Sequence, residues 1–226
     1  MTKTLFVIGS SGVIGHQLAS SLTQDFDVHR FDLTLGHDMC DHSQVDNIFA
    51  STKCDALLNL FALNEHVGKV KQATSFNDFE LQDVRKYMDV NVVALFDVCR
   101  TFIKYNAKGV VLNYSSIYGI EAPDNSLYGE LSMKHIGYSV SKSAVIPLTR
   151  YFAKNAGPAY RFNCIAPGGV LADQPQSFVE RYSHRTPLKR MCTVEDLIAP
   201  TLFFLTDQSK YITGAVLPVD GGFTIP

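Results

Sequence analysis

The chain has 226 residues, of which 46% are apolar and 19% charged, and its 20 basic residues face 22 acidic ones for a formal net charge of −2. The high apolar fraction and small net charge exclude disorder and fibrous or low-complexity structure. The near-neutral charge, with no run of lysines and arginines, excludes the basic surface of a nucleic-acid-binding protein. We therefore expect a globular protein whose partner is a small molecule.

Runs of β-favouring residues alternate with helix-length segments along the chain. Strands are predicted at 4–8, 27–31, 56–61, 110–114, 161–165 and 215–219, and helices at 12–23, 43–51, 81–105, 138–155 and 193–206. We expect Pro200 to bend or interrupt the last helix. The alternation predicts an α/β fold, a Rossmann-type doubly wound parallel sheet in three αβα layers. No linker divides the chain, so one domain is expected over 1–226.

Targeting and metal-binding signals are missing from the sequence. No apolar stretch reaches the roughly 18 residues of a membrane-spanning helix, and the first residues do not form a signal peptide. We therefore expect a cytoplasmic protein with no membrane partner. The five cysteines are widely spaced, without a C-x-x-C pair, and are interpreted as reduced interior residues, so no metal site is predicted.

A glycine-rich turn follows the first predicted strand. The segment from Gly9 to Gly15 reads Gly-Ser-Ser-Gly-Val-Ile-Gly, and such glycines allow a tight turn and a close approach of backbone N–H groups to a pyrophosphate. A plain strand-to-helix turn is the alternative interpretation. Asp32, 23 residues after Gly9, can accept hydrogen bonds from ribose hydroxyls and would repel a 2′-phosphate. The pattern favours NAD over NADP, and Arg30 is the residue that could reverse this preference.

Tyr138 and Lys142 are four residues apart in a predicted helix. This spacing places them on one helix face. An ammonium near a phenol favours the phenolate, which is what a general base for an alcohol needs. An exposed tyrosine and a solvated lysine would show the same spacing, so the pair carries weight only together with other motifs.

Several motifs occur in one order along the chain. They are Gly9-x-x-Gly12-x-x-Gly15, Asp32, Tyr138-x-x-x-Lys142, Pro167-Gly168 after a strand, and the terminal Val219-Asp-Gly-Gly. Together they resemble the short-chain dehydrogenase/reductase family, in its compact single-domain branch, over essentially the whole chain. The resemblance implies an NAD(P)-dependent oxidoreductase that transfers a hydride between a nicotinamide cofactor and an alcohol or carbonyl substrate.

The resemblance also implies a catalytic group of four residues. Tyr138 would be the acid/base that exchanges a proton with the substrate oxygen, and Lys142 would lower its pKa and hold the nicotinamide ribose. Ser116 would hydrogen-bond the substrate oxygen, with Ser115 as the alternative. Asn91 would position a water that links Lys142 to solvent.

A wider set of residues is implied as contacts to the cofactor. These are Gly9, Ser11, Gly12, Val13, Ile14, Gly15, Asp32, Asp38, Met39, Asn59, Phe61, Tyr138, Lys142, Pro167, Gly168 and Val170. Asp38 and Met39 are expected at the adenine ring, and Val170 at the nicotinamide amide.

Two departures from the family pattern keep other functions open. Where the family usually has Asn-Asn-Ala-Gly, this chain reads Asn59-Leu-Phe-Ala, which places bulky side chains beside the cofactor. A catalytically inactive nucleotide-binding or interaction protein on the same fold is therefore one alternative. The glycine spacing is that of the family's extended branch, so an NAD-retaining epimerase or dehydratase is another.

Two segments are expected to determine substrate specificity. Ser116 and Tyr138 are 22 residues apart, a longer span than in compact members, so 121–135 is predicted as a loop beside the active site, with Tyr128 and His135 as candidate substrate contacts. The predicted substrate loop at about 170–190 carries Gln174, Gln176, Phe178, Glu180, Arg181, Tyr182, His184 and Arg185. This polar composition favours a polar, sugar-like substrate.

The resemblance implies an oligomer as well. Compact members pair through the two helices predicted here at 81–105 and 138–155, so a homodimer or homotetramer is expected.

Overall fold

The strands form one parallel sheet in the computed structural model, which describes residues 2–65, 73–129 and 132–225. They are β1 (Lys3–Ile8), β2 (Phe26–Phe31), β3 (Ala56–Asn59), β4 (Gly109–Tyr114), β5 (Tyr160–Pro167) and β6 (Val216–Val219). Their order is β2-β1-β3-β4-β5-β6, with all neighbours parallel. The predicted doubly wound sheet is confirmed. Because the chain moves outward from β1 to β2 and then returns to the other side of β1, a topological switch point lies between β1 and β3.

The helices cover both faces of the sheet. They are α1 (Val13–Ser21), α2 (His42–Ser51), α3 (Leu81–Met88), α4 (Ala94–Tyr105), α5 (Ile136–Asn155), α6 (Gln176–Arg185) and α7 (Glu195–Leu205). Side chains of β1 alternate between the two layers: Phe6 joins the core formed with α2, α4 and α5, whereas Leu5 and Val7 join the core formed with α1 and α7. This alternation follows from the two-residue period of a strand.

The helix predicted at 81–105 contains an irregularity that the pattern did not show. Its middle, Asp89–Val93, is a π-helical turn between α3 and α4, and such turns occur frequently at functional sites. Pro200 does not interrupt the last helix, because α7 runs unbroken through it. Burial of Leu197 and Phe204 in the core keeps the segment helical despite the missing backbone donor.

The sequence does not predict helix α6, since its residues are mostly polar and its inner face consists of Phe178, Val179 and Tyr182. Among the described residues, no helix is both long enough and apolar enough to cross a membrane.

The glycine turn between β1 and α1 is packed backbone against backbone. Gly9 has a φ of 83°, and a Cβ added there would lie 2.4 Å from the backbone nitrogen of Phe61. A Cβ at Gly15 would lie 2.0 Å from the carbonyl oxygen of Gly9. No side chain fits in either place, so both glycines are required for α1 and the loop after β3 to approach β1 this closely.

We predict that Gly9→Ala lowers the free energy of unfolding by about 3 kcal/mol or more, because the methyl group adds a backbone clash to an unfavourable φ. Gly36→Ala is the matched control: its φ is 87° but a Cβ there meets nothing within 4 Å. It should cost only the strain of the left-handed conformation, about 1 kcal/mol. Urea unfolding followed by circular dichroism measures both, and equal losses would contradict the steric argument.

Candidate active site

A cavity of about 760 Å³ opens at the carboxyl edge of the sheet, where ligands bind in doubly wound folds. Among the predicted site residues, its wall contains Gly9, Gly12, Val13, Ile14, Gly15, Ser116, Tyr138, Lys142, Pro167, Gly168 and Val170. The structure thus brings the glycine turn and the predicted acid/base group to one cavity. Within the described part of the chain, no group of three or more histidine, cysteine or acidic residues is placed to hold a metal ion.

The glycine end of the cavity is shaped for an anion. Helix α1 begins after Gly12 without any side-chain cap on its first N–H groups, and the unpaired N–H groups of a helix start favour negative charge. A Cβ added at Gly12 would meet only the Gly9 carbonyl oxygen, in ordinary van der Waals contact at 3.7 Å. In the same turn the buried Ser10 hydroxyl has no hydrogen-bond partner. These features fit the pyrophosphate of a dinucleotide.

Asp32 lies beside this turn, just after β2. Its carboxylate accepts hydrogen bonds from the Ser11 N–H at 3.1 Å and from the Thr34 N–H and hydroxyl at 2.9 and 2.7 Å. Burial acts to raise the pKa of Asp32, but the hydrogen bonds from Thr34 and Ser11 outweigh it and the pKa is lowered. The group is therefore a carboxylate at neutral pH. Arg30 is turned towards α1, where its guanidinium donates to the Ser20 hydroxyl at 2.8 Å.

Four of the predicted cofactor contacts have side chains engaged away from the cavity wall. Met39 is buried in the core with Phe61 packed against the same cluster, the Asp38 carboxylate accepts from the Cys40 N–H at 2.8 Å, and the Asn59 amide donates to the Asn113 side chain at 2.8 Å. Of the bulky residues after β3, Leu60 lines the cavity, whereas Phe61 points into the core because neighbours in an extended segment alternate in direction.

The serine that faces Tyr138 is Ser116. Both residues line the cavity, the Ser116 hydroxyl acts to lower the pKa of Tyr138, and it accepts from the Tyr118 N–H at 3.1 Å. The hydroxyl of Ser115 instead donates to the backbone carbonyl of Lys142 at 2.6 Å. The geometry therefore favours Ser116 over Ser115 as the polar group at the reacting oxygen.

Burial controls the ionisation of the Tyr138–Lys142 pair. The Lys142 ammonium is buried and donates to the Tyr114 carbonyl at 2.9 Å, and burial lowers its pKa to about 8. Burial raises the pKa of Tyr138, while the hydrogen bond from Ser116 acts in the opposite direction. The lowered phenol pKa expected from the sequence is thus not what this site shows, because removing both groups from water disfavours both charges.

Asn91 lies in the π-helical turn and its side chain is occupied by protein groups. The side-chain oxygen accepts from the Leu63 N–H at 2.7 Å, and the amide donates to the Leu63 carbonyl at 3.1 Å and to the Ser141 hydroxyl at 2.9 Å. The side chain that was expected to position a water instead ties α5 and the loop after β3 to the π-helical turn.

The segment 121–135 contributes one of its two predicted substrate contacts to the cavity. Tyr128 lines the wall, and its hydroxyl donates to that of Tyr118 at 2.8 Å. The ring of His135 accepts from the Gly137 N–H at 3.0 Å, which caps α5, and stacks on Tyr87 outside the cavity wall.

Sequence reasoning missed Lys134, which also lines the cavity. It precedes Tyr138 by four residues but lies before the helix predicted at 138–155, so the helical spacing that relates Tyr138 to Lys142 could not have found it.

The segment 170–190 is less polar towards the cavity than its composition predicts. Arg181 donates to the Leu127 carbonyl at 2.8 Å, Arg185 pairs with Asp124, and the Tyr182 hydroxyl accepts from the Gly169 N–H at 2.6 Å. Its cavity-lining residues are Val170, Ala172, Asp173, Gln174, Pro175, Phe178 and Tyr182. Since the segment folds into α6, its remaining polar side chains lie on the outer face of that helix.

Comparison with known proteins gives one consistent family. The family model described as enoyl-(acyl carrier protein) reductase matches residues 13–224. A 3α-hydroxysteroid dehydrogenase of Mediterraneibacter gnavus is 33% identical over 67% of this chain and 60% of that protein. A glucose 1-dehydrogenase of Gluconobacter oxydans is 31% identical over 66% of this chain and 56% of that protein. The chain thus matches less than two thirds of the length of either relative.

Among solved structures, a short chain dehydrogenase from Leptospira borgpetersenii with bound NAD+ superposes with a TM-score of 0.87 at 28% identity. That match covers 100% of this chain and 94% of the other.

We predict that Asn91→Ala lowers the free energy of unfolding by about 2–3 kcal/mol, because it leaves the Leu63 N–H and carbonyl without partners. Asn155→Ala is the matched control: its amide donates to the Tyr151 carbonyl at 2.7 Å on the exposed end of α5, and its loss should cost less than about 0.5 kcal/mol. Urea unfolding measures both values. If Asn91→Ala is as stable as the control, the side chain does not hold the loop after β3.

Proposed function

The chain belongs to the short-chain dehydrogenase/reductase family, and we propose that it is an oxidoreductase that transfers a hydride between NAD and an alcohol or carbonyl group of a small molecule. The observation that carries the proposal is the single cavity that joins an anion-binding glycine turn to Ser116, Tyr138 and Lys142. A group that holds a cofactor and a group that moves a proton must share one site for hydride transfer to occur.

The surroundings of the glycine turn support NAD rather than NADP. The Asp32 carboxylate lies beside the turn and is charged at neutral pH, so it would accept hydrogen bonds from ribose hydroxyls and repel a 2′-phosphate. Arg30, which could have neutralised a phosphate, bonds to Ser20 on α1 instead.

The side chains around the reacting position have separate tasks. NAD, when bound, supplies the hydride acceptor or donor. The Tyr138 hydroxyl is the proton-exchanging group, and the Ser116 hydroxyl, in the same cavity wall, donates to the substrate oxygen as charge develops there. Lys142 brings a positive charge to the same wall and, with an ammonium fixed on the Tyr114 carbonyl, favours the ionised form of the phenol.

The proposed substrate is polar and sugar-like. Its support is the set of hydrogen-bonding side chains in the cavity wall, which includes Asn64, Tyr118, Tyr128, Lys134 and Gln174. Several such groups suit a compound with several hydroxyls better than a plain hydrocarbon. The two named relatives act on unlike compounds by their names, a steroid and a sugar, so similarity alone does not choose between these classes.

We place the substrate loop at about 170–190 in a single nucleotide-binding domain over 1–226, because residues of this loop and of the glycine turn line the same cavity.

A homodimer or homotetramer is proposed as the assembled form. Apolar side chains stand on the outer surfaces of α4 and α5, where Phe96, Val140 and Tyr151 are 44, 46 and 64% exposed. Exposed apolar surface of this kind is typical of an interface. A cytoplasmic location is proposed from the five cysteines, all of them free thiols and four of them buried, as suits a reducing compartment.

We predict that Tyr138→Phe lowers kcat for alcohol oxidation by at least about 10³-fold, because the acid/base group is lost, while NAD binding is preserved. Turnover is followed by absorbance of the reduced cofactor over a panel of sugars and simple alcohols, and binding by calorimetry. Tyr211→Phe, which removes the hydroxyl of a side chain that is 98% exposed, is the control and should retain full activity.

The same two measurements separate the alternatives. Full turnover in Tyr138→Phe would contradict the assigned proton transfer. A wild-type protein that binds neither NAD nor NADP would contradict the oxidoreductase and favour an interaction protein on this fold. NAD that copurifies and stays bound through turnover would favour the epimerase or dehydratase.

We predict that Asp32→Ala raises the dissociation constant for NAD about tenfold. This increase corresponds to roughly 1.4 kcal/mol, as expected for the loss of a charge-assisted hydrogen bond. The same change should strengthen NADP binding, since the negative charge that opposes the 2′-phosphate is removed. Asp27 is an exposed carboxylate on β2, and Asp27→Ala should change neither the NAD nor the NADP dissociation constant. Calorimetric titration with both cofactors measures the ratio of the dissociation constants for NADP and NAD. If that ratio is unchanged in Asp32→Ala, Asp32 does not contact the ribose.

A further inference from the structure

Lys134 is a buried cation in the wall of the cavity. It lies two residues before α5, and only 7% of its surface is exposed. Its ammonium nitrogen is 4.4 Å from the centre of the Tyr138 ring. Lysine is rarely buried without a partner, and a cation at this distance from an aromatic face interacts with it directly. The tyrosine proposed as the acid/base therefore has a second ammonium beside it.

The position of this ammonium is fixed by the loop after β3. The Lys134 side chain donates to the Asn64 side-chain oxygen and to the Glu65 carbonyl, the latter at 3.0 Å. The backbone N–H of Lys134 is held in turn by the Asn125 side-chain oxygen at 3.0 Å. The cation is thus anchored on both sides, which is the arrangement expected of a charge that must keep a set distance from Tyr138.

Lys134 remains largely cationic at neutral pH. Burial lowers its pKa to about 8, while the charge of Glu65 acts to raise it. The group is therefore mainly an ammonium at neutral pH, and a phenolate formed beside it would hold that positive charge to higher pH.

The titratable groups that face Tyr138 from the neighbouring elements include few other charges. Burial raises the pKa of Tyr87, on α3, and of Tyr118, after β4, to about 12. Burial also raises the pKa of Tyr128 and lowers that of His135, so all four groups are neutral near pH 7.

Within the part of the chain that the structure describes, the charged groups around the phenol are Lys134, Lys142 and, behind Lys134, the Glu65 carboxylate. Asp173 also lies in the cavity wall.

We propose that Lys134 is a positioning residue that stabilises the phenolate of Tyr138 and so supplements Lys142 in preparing the base. The proposal rests on the function assigned above to Tyr138. The direction follows from charge: an ammonium held against a phenol ring favours the ionised form of the phenol and lowers its pKa. Of the groups that the structure describes, Ser116 also acts against the effect of burial on the Tyr138 pKa.

The test is a titration of the Tyr138 phenol in the full-length chain. Tyrosine labelled with ¹³C at Cζ reports ionisation by NMR, and the Tyr138 signal is identified by its loss in Tyr138→Phe. Lys134→Met should move the midpoint upward by about one pH unit or more, whereas Lys134→Arg, which keeps a cation, should leave it near the wild-type value. Lys154→Met, on the exposed surface of α5, is the control for general loss of charge.

In Lys134→Met, the midpoint of the acidic limb of the pH profile of kcat/KM for alcohol oxidation should move to higher pH by the same amount. Because the phenolate is the active form in this direction, the variant loses most activity at low pH and recovers it as the pH rises.

Two outcomes would overturn the proposal. A midpoint unchanged in both Lys134→Met and Lys134→Gln, with folding verified by circular dichroism, would show that the cation does not act on the phenol. A rise in KM alone, with an unmoved pH profile, would assign Lys134 to substrate binding. If the wild type turns over no alcohol, the oxidoreductase proposal fails, but the NMR titration still decides whether Lys134 acts on Tyr138.

Discussion

The active-site cavity depends on a contact between backbones at the switch point of the sheet. The carbonyl of Gly9 faces the start of α1, and the nitrogen of Phe61 lies on its other side, with no room for a side chain at either place. This contact brings the start of α1 and the loop after β3 to the end of β1. The same loop carries Leu63, which Asn91 holds, and Asn64 and Glu65, which hold Lys134. A displacement at the glycine turn would therefore reach the proton-transfer end of the cavity.

The second constraint is the burial of ionisable groups on one side of the cavity. Two ammonium groups and a phenol share a region where burial lowers both lysine pKa values and raises that of Tyr138. Each charge is disfavoured by itself, whereas an ammonium beside the ring favours a phenolate. Under the role proposed for Lys134, ionisation of the phenol therefore depends on the protonation of that lysine.

The sequence predicts the features that depend on local residue patterns, but it does not predict those that depend on tertiary contacts. The glycine turn and the Tyr138–Lys142 pair are local patterns, and the structure places both in one cavity. The hydrogen-bond partners of Asn91 could not be predicted from residue spacing, since they lie 28 and 50 residues away along the chain. The inward turn of Phe61 and the burial of Met39 depend likewise on packing. Helix α6 lacked a strong apolar pattern because it covers the cavity with two aromatic side chains only.

The two segments expected to set the substrate form one unit rather than two loops. Arg181 of α6 donates to the carbonyl of Leu127, Arg185 pairs with Asp124, and the rings of Phe178 and Tyr128 lie 5.2 Å apart. Tyr128 in turn bonds to Tyr118, which lies two residues after Ser116 in the segment that follows β4. The part of the wall formed by α6 is thus linked through 121–135 to the proton-transfer group. A change of substrate by mutation in either segment alters the packing of the other, so specificity and the placement of the reacting oxygen are not independent.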